Sequence, residues 1–251
     1  MITLDNVYAG YGKVHILQGV SARFENNRHI SVVGPNGSGK STLFKAIVGL
    51  IPCTDGKISI DGKGLSDLKQ NDIAKKVSYL PQSKSIPDMT VAQMVLHGRF
   101  PYLSYPRRYT EKDKRIALEA MKAVGIEDLA GSPLYAISGG MRQNAYIAMA
   151  LAQDTDHILL DEPTTYLDIS HQLALAKTIR TLADSGKCVI SVMHDLVLAL
   201  NISDDILVLD KGRAVAFGTP ADIFNSSIID RVFGISLDFN QNSYSYKYPP
   251  R

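Results

Sequence analysis

Residues 34–42 have the sequence GPNGSGKST and lie between an apolar run and a helix-like run. This G-x-x-x-x-G-K-[ST] pattern is typical of a phosphate-binding loop, because its glycines let successive backbone N–H groups turn toward phosphate oxygens. In such a loop Lys40 reaches the β- and γ-phosphates of a nucleotide, and the Ser41 hydroxyl takes one position around Mg²⁺. The candidate nucleotide-binding residues of the segment are Gly34, Pro35, Asn36, Gly37, Ser38, Gly39, Lys40, Ser41 and Thr42.

Two carboxylates follow the apolar run of ILLDEP at 158–163. A strand that ends beside a phosphate-binding loop can place Asp161 near Mg²⁺, either directly or through water. Glu162, one residue later, can then orient and deprotonate an attacking water molecule. The alternative is a strand that merely ends in two solvated acids, and the loop at 34–42 favours the catalytic interpretation.

Three single residues gain meaning from their positions. Gln82 follows the strand-like VSYLP, so its amide could reach Mg²⁺ or the attacking water. His194 ends the strand-like VISVM and could donate a hydrogen bond to a γ-phosphate. Tyr11 lies upstream of the loop and offers a flat face for adenine, although a core or turn position fits its spacing nearly as well. His171 and His97 lack neighbours at metal-ligand spacing, so we expect both to be structural or surface residues.

A second pair of glycines occurs in ISGGMRQN at 137–144, just before another helix-like run. Paired glycines at the start of a helix indicate that a ligand approaches the backbone closely. This segment is a candidate for a second phosphate contact, formed by Ser138, Gly139, Gly140 and Met141.

The elements that carry these residues alternate between short apolar runs and helical patterns. Five apolar runs predict buried strands with helices between them: HISVVG, KKVSYLP, HILLDEP, CVISVMHD and DILVLDKG. This alternation predicts an α/β fold with a largely parallel sheet. ITLDNVYAGYG and KISIDG stand apart from it and predict a small antiparallel patch.

The middle of the chain has a different pattern. From about 90 to 152, apolar residues recur every three or four positions in VAQMVLHGR, EKDKRIALEAMKAVG and SGGMRQNAYIAMALAQ, which predicts a helical lobe. FPYLSYPRRY, between the first two, is expected to be an irregular loop. At the end of the chain, alternating residues around a polar turn predict an edge hairpin. An aromatic binding face formed by Tyr244, Tyr246 and Tyr248 is the less favoured alternative.

Composition narrows the class of protein. The formal net charge is +2 over 251 residues, which gives no indication of a nucleic-acid partner. The two cysteines, Cys53 and Cys188, are far apart and predict no disulfide framework. MITLDNVYAG has no basic segment followed by an apolar run, and the apolar stretches fall short of the roughly 20 residues that span a bilayer. We therefore expect a cytosolic protein.

Together these motifs resemble the ATP-binding subunit of ABC transporters. The family's motifs occur here in their usual order. They are Walker A (GPNGSGKST), the Q-loop (Gln82), the signature (ISGGM), Walker B (ILLDEP), the D-loop (LD at 167–168) and the switch histidine (His194). The resemblance covers about residues 1–235. It implies a P-loop ATPase with a RecA-like parallel-sheet core and a small antiparallel β-subdomain at about 1–82 and 153–235. A helical subdomain would be inserted at about 83–152, and 236–251 would form a C-terminal tail.

The resemblance also implies partners and cofactors. Two copies would bind ATP and Mg²⁺ between them, each ATP contacting Walker A of one copy and Ser138, Gly139, Gly140 and Met141 of the other. Mg²⁺ would be held by Ser41, Gln82 and Asp161, and Asp168 of the D-loop would lie across the dimer interface. The helical subdomain and the Gln82 region would dock two membrane-spanning permease subunits at the cytoplasmic face of the membrane. A substrate-binding protein would deliver the cargo, and no nucleic acid is implied.

A narrower resemblance concerns the cargo. Three segments resemble the ATPases of iron–siderophore, ferric citrate, haem and cobalamin importers: LHGRFPY, residues 145–172 and MHDLVLAL. Among these importers, the iron–siderophore and ferric citrate members are the most similar. The alternatives are an importer of another cargo, an exporter, or a soluble ABC ATPase that acts on DNA or ribosomes.

The motifs depart from the family pattern at four positions. Ile137 and Met141 replace the usual Leu and Gln of the signature, and Asn144 stands where many relatives carry Arg. His157 replaces an apolar residue, and we expect it at the outer end of its strand, where it can be tolerated.

Overall fold

A six-stranded sheet holds the strands that precede the candidate site. The computed structural model describes residues 1–82, 86–164 and 167–247. The strands of the sheet are β3 (Arg28–Val33), β6 (Val77–Leu80), β7 (His157–Asp161), β8 (Cys188–Val192), β9 (Asp205–Asp210) and β10 (Arg213–Gly218). Their order is β10-β9-β3-β8-β7-β6, and only β10 pairs antiparallel to its neighbour. The predicted α/β fold with a largely parallel sheet is confirmed.

The sheet is covered on both faces, as the continuous apolar runs of its strands predicted. All five residues of β7 and of β8 are buried. Because successive side chains of a strand point to opposite faces, Leu159 packs in one core cluster and Leu160 in another.

The helices outside the central stretch are α1 (Lys40–Ile47), α2 (Gln70–Ala74), α6 (Ile169–Asp184), α7 (Leu196–Ile202), α8 (Pro220–Asn225) and α9 (Ile228–Phe233), with a 3-10 turn at Leu65–Asp67.

The expected antiparallel patch is a four-stranded sheet in the order β2-β1-β4-β5. Its strands are β1 (Ile2–Tyr11), β2 (Val14–Phe24), β4 (Cys53–Ile60) and β5 (Lys63–Gly64). The sequence patterns predicted β1 and β4 but did not single out β2 or β5. A two-residue turn at Gly12 and Lys13 folds β2 back onto β1, so that Tyr11 pairs with Val14.

The central stretch contains helices, as its periodicity predicted. They are α3 (Val91–Leu96), α4 (Glu111–Ala123) and α5 (Gly139–Ala152), with 3-10 helices at His97–Tyr102, Glu127–Leu129 and Leu134–Ala136. The expected irregular loop is therefore wrong over its first three residues, which end a 3-10 helix. The cause is the buried side chain of Arg99, which donates hydrogen bonds to Asp113 of α4 and to the Ala152 carbonyl of α5.

The tail pairs as a hairpin of β11 (Leu237–Asn240) and β12 (Ser243–Tyr246). It forms a two-stranded sheet of its own and does not extend the six-stranded sheet. Tyr244 packs with its ring centroid 4.7 Å from that of Phe239 and 5.4 Å from that of Phe224. This contact favours packing over an aromatic binding face, while Tyr248 lies outside the described residues.

Among the described helices, none has the length and apolarity needed to cross a membrane.

Candidate functional site

The loop at 34–42 joins β3 to α1 and requires glycine at two points. Gly39 has a φ of 104°, a left-handed conformation that side chains disfavour, and it lies directly before the first residue of α1. At Gly34, a Cβ atom would lie 2.2 Å from the carbonyl oxygen of Leu209. The loop therefore turns sharply against the neighbouring strand and points the first turn of α1 toward the space above the sheet.

Lys40 lies folded under this loop and is only 6% exposed. Its Nζ donates hydrogen bonds to the carbonyl oxygens of Gly34, at 2.8 Å, and Pro35, at 3.0 Å. Burial lowers the pKa of Lys40, and the carboxylates of Glu162 and Asp161 oppose that shift. The ammonium group is thus held in place inside the loop, where a phosphate would meet it.

The loop forms one wall of a cleft of about 540 Å³. The residues around this cleft are Tyr11, Ile16, Asn36, Gly37, Gly39, Lys40, Ser41, Thr42, Gln82, Glu162 and His194. Most of the candidate nucleotide-binding and catalytic residues therefore face one space. Gly34, Pro35 and Ser38 belong to the loop but do not line the cleft. Ile16 lines it although no sequence motif marked it.

Tyr11 ends β1 at the rim of the cleft and is 49% exposed. Lys45 of α1 approaches it, with Nζ 3.3 Å from the hydroxyl oxygen and 5.8 Å from the ring centroid. An exposed ring at the mouth of a phosphate-binding cleft can stack on a flat base.

Asp161 is the last residue of β7 and is 1% exposed. Its Oδ1 accepts a hydrogen bond from Ser41 Oγ at 3.3 Å, and its Oδ2 accepts one from the Tyr79 hydroxyl at 3.4 Å. Burial raises the pKa of Asp161, and the Ser41 hydrogen bond opposes this rise. Tyr79 is a contact that the sequence motifs missed, although it lies on β6 three residues before Gln82.

Gln82, Glu162 and His194 converge in a single cluster. Gln82 Nε2 donates a hydrogen bond to Glu162 Oε2 at 2.5 Å, and His194 Nε2 lies 2.6 Å from Glu162 Oε1. These residues follow β6, β7 and β8, which are neighbours in the sheet. Since the carboxyl ends of parallel strands meet at one edge, the sheet brings together side chains that are far apart in sequence.

Ser138 is the N-cap of α5, where its Oγ accepts a hydrogen bond from the Met141 N–H at 3.2 Å. A Cβ atom added to Gly139 would meet nothing within 4 Å, so the backbone there is open to approach. The Met141 side chain packs against the helical core cluster. None of the residues 138–141 lines the cleft of the same chain.

Asp168 is the N-cap of α6. Its Oδ1 accepts hydrogen bonds from the His171 N–H at 2.9 Å and from Ser170 Oγ at 2.8 Å, and it lies 2.7 Å from His171 Nδ1. These hydrogen bonds, the backbone one first, lower the pKa of Asp168 to about 2. The carboxylate is therefore charged and organised by its own helix, with His171 as a structural partner.

Two of the departures have specific contacts. His157 is the first residue of β7, at the end of the strand as expected, yet its side chain is fully buried. Its Nε2 lies 3.0 Å from Asp61 Oδ1. Asn144 donates a side-chain hydrogen bond to the Val124 carbonyl at 3.1 Å. Its neighbour Gln143, which no sequence motif marked, donates one to the Pro163 carbonyl at 2.8 Å.

Comparison with known proteins agrees with this geometry. The family model described as ABC transporter matches residues 17–165. The chain is 35% identical to the petrobactin import ATP-binding protein FpuC of Bacillus anthracis, over 100% of this chain and 93% of that protein. It is 36% identical to the ferric enterobactin transport ATP-binding protein FepC of Escherichia coli K12, over 92% of this chain and 86% of that protein.

Among solved structures, the dimeric form of the bacterial ABC transporter cassette MJ0796 superposes with a TM-score of 0.77 at 27% identity. The match covers 88% of this chain and 99% of that one. The loop around Lys40 and the carboxylates at the end of β7 both lie within the residues that the family model matches. The chain belongs to the ABC transporter family.

Proposed function

We propose that this chain is the ATP-hydrolysing subunit of an importer that carries an iron chelate, an iron–siderophore complex in the first instance, across the cytoplasmic membrane. The observation that carries the ATPase part is the cluster of Gln82, Glu162 and His194 beside the Lys40 loop. The cargo class is supported by relatives whose names specify petrobactin import, ferric enterobactin transport and iron(3+)-hydroxamate import.

In this proposal the nucleotide lies in the cleft with its base against Tyr11 and its phosphates against the loop at 34–42. Lys40 and the N-terminus of α1 supply positive charge to the β- and γ-phosphates. Residues 138–141 of a second copy complete the site, which is supported by the open backbone at Gly139 and by the absence of these residues from the cleft of their own chain.

The residues present suit a magnesium site. Ser41 Oγ and Asp161 Oδ1 lie 3.3 Å apart at the base of the cleft and offer one hydroxyl and one carboxylate. Mg²⁺ commonly takes one or two such protein ligands and completes its shell with phosphate oxygens and water. When bound, it neutralises charge on the β- and γ-phosphates. The described residues contain no cluster of His, Cys, Asp or Glu that would hold a metal without a nucleotide.

Glu162 is the general base of the proposed reaction. Its carboxylate accepts a proton from the attacking water, which then bonds to the γ-phosphorus as the bond to the β–γ bridging oxygen breaks. Gln82 and His194 contact both oxygens of that carboxylate and can hand over their hydrogen bonds to water and γ-phosphate respectively. Both residues also line the cleft that holds the nucleotide in this proposal.

A groove on the helical part of the chain suits the membrane partner. It has a volume of about 500 Å³ and is lined by Asp88, Met89, Gln93, Leu96, His97 and Tyr109. Apolar and polar groups together fit one short amphipathic helix. We assign this groove to a permease subunit, so that two copies of the ATPase and two permease subunits form a complex in which the ATPase is peripheral at the cytoplasmic face.

Substitution of the general base tests the ATPase mechanism. We expect Glu162→Gln to lower ATP turnover by at least about a hundredfold, because an amide cannot accept the proton. ATP binding should remain, and the variant should accumulate as an ATP-bound dimer in size-exclusion chromatography with Mg²⁺. Glu111→Gln, on an exposed face of α4, is the control and should keep the ATP turnover of the unmodified chain. Normal turnover of Glu162→Gln would contradict the assignment of the base.

The cargo requires a transport measurement. The chain should be purified with the permease that it retains from its host membrane, reconstituted in vesicles and supplied with the matching binding protein. ATP-dependent accumulation of ⁵⁵Fe–siderophore is expected, and none should occur with Glu162→Gln. Accumulation of haem or cobalamin in its place would reject the iron–siderophore assignment and retain the importer. Recovery of nucleic acid without a membrane protein would reject transport altogether.

A further inference from the structure

Gln143 connects the signature helix to the residue that follows the general base. It lies on α5, five residues after Ser138, and is 8% exposed. Its Nε2 donates a hydrogen bond to the Pro163 carbonyl at 2.8 Å. Pro163 is covalently next to Glu162, so α5 is attached to the backbone that presents the catalytic carboxylate.

That backbone has an unfavourable conformation. Glu162 has a φ of 54°, in the left-handed region that residues with a side chain rarely adopt. It also precedes a proline, whose ring favours extended conformations in the preceding residue. Such conformations persist only where the surrounding structure holds them.

The two sides of Glu162 are held by different elements. On the N-terminal side, Asp161 is fixed in the sheet through its pairing with Val192 of β8. On the C-terminal side, the hydrogen bond from Gln143 fixes the orientation of the Pro163 carbonyl.

We propose that Gln143 is a positioning residue for Glu162 and that it couples the signature helix to the general base of the same chain. The inference rests on the proposed catalytic role of Glu162. A shift of α5 when its N-terminus contacts the nucleotide of the other copy would move the Pro163 carbonyl with it. Hydrolysis in one site would thereby depend on engagement of the signature in the other.

The neighbouring residue offers a matched control. Asn144 also donates a side-chain amide hydrogen bond to a backbone carbonyl, at 3.1 Å, but its acceptor is Val124 at the end of α4. A variant at Asn144 therefore removes the same kind of bond from the same helix without touching the Walker B loop.

The experiment compares Gln143→Met and Gln143→Glu with Asn144→Leu. Both Gln143 variants keep the approximate length of the side chain and lose the N–H donor. We expect kcat for ATP to fall at least about tenfold while KM changes less than about twofold, because the base is misplaced but the nucleotide contacts remain. Asn144→Leu should keep both constants. Thermal melting confirms that each variant is folded, and Gln143→Glu serves if Gln143→Met does not fold.

A second background separates positioning from a general structural role. In Glu162→Gln, where the base is already disabled, adding Gln143→Met should leave ATP-driven dimer formation unchanged. Three outcomes would overturn the inference. They are weakened dimerisation in that background, a rise in KM large enough to account for the whole loss of kcat/KM, and an unchanged kcat in the single Gln143 variants. Normal turnover of Glu162→Gln alone would refute the proposed base itself, so the two failures are distinguishable.

Discussion

Lys40 and Asp161 show how the site keeps opposite charges ready in a buried position. Burial lowers the pKa of the lysine and raises that of the aspartate, so the surroundings destabilise the charged form of each. Hydrogen bonds from Ser41 to Asp161 and from Lys40 to two backbone carbonyls limit this cost. A bound phosphate and cation would add further charge partners at the same two points.

Met141 is the signature position at which this chain departs from the usual family residue. Met141 packs against the helical core, whereas the usual family residue, glutamine, offers an amide. We expect Met141→Gln to strengthen ATP-driven dimerisation in the Glu162→Gln background by several-fold, equivalent to one neutral hydrogen bond of about 1 kcal/mol. A small loss of melting temperature should accompany it, because packing is given up. Analytical ultracentrifugation with titrated ATP measures the dimerisation. An unchanged association constant would show that the missing amide is unimportant.

At the scale of the element, α4 is fixed to the rest of the helical part by a buried ion pair. Arg99 Nε donates a hydrogen bond to Asp113 Oδ1 at 3.0 Å, and both side chains are less than 10% exposed. Asp113 also completes the capping box of α4 with Thr110. Although burial opposes the shift, hydrogen bonds from Thr110 and Arg99 lower the pKa of Asp113. One carboxylate thus both starts the helix and anchors it.

Removal of that carboxylate should be costly. We expect Asp113→Ala to lower the free energy of unfolding by about 3 kcal/mol, because it leaves the Arg99 guanidinium buried without its charge partner. Glu111→Ala on the same helix breaks an exposed pair with Lys114 and should cost less than about 0.5 kcal/mol. Urea denaturation followed by circular dichroism measures both. Equal effects of the two substitutions would contradict the importance of the buried pair.

At the scale of the whole molecule, His29 joins three elements of the core. It is fully buried on β3, with Nε2 2.7 Å from Ser191 Oγ on β8 and Nδ1 3.2 Å from the Ile202 carbonyl at the end of α7. Burial lowers the pKa of His29 to about 4, although the Ile202 carbonyl and Asp204 oppose the shift and Arg180 adds to it. The folded protein therefore keeps this imidazole neutral over a range where an unfolded chain protonates it.

This difference predicts the pH dependence of stability. Between about pH 6.5 and pH 4 the unfolded state binds more protons than the folded state, so stability falls as the pH is lowered. For one group the slope approaches 1.4 kcal/mol per pH unit. We expect His29→Gln to be less stable at pH 7 but to lose less stability on acidification. His97→Gln, at an exposed position, should keep the original slope. Denaturation curves at several pH values test this, and parallel slopes for His29→Gln and the unmodified chain would contradict it.

The sequence by itself determined the class of fold and the candidate chemistry. Apolar strand runs, helical periodicity and the glycine spacing at 34–42 are local properties, and local backbone preferences fix their structural meaning. For that reason five of the six strands of the large sheet, the helices of the central stretch and the candidate residues from Lys40 to His194 could be named in advance. The patterns did not single out β10 of that sheet, or β2 and β5 of the smaller one. The irregular loop around Phe100 could not be predicted fully, because the distant partners of Arg99 decide its 3-10 turn.

Only the tertiary structure decided which side chains meet. Tyr79 reaches Asp161, Gln82 and His194 contact Glu162, and Gln143 reaches Pro163, through contacts between elements that are far apart in sequence. No local pattern encodes such contacts, because they depend on strand order and on how helices pack across the sheet. The same packing buries His157 and His29, whose residue types alone favoured neither burial nor exposure.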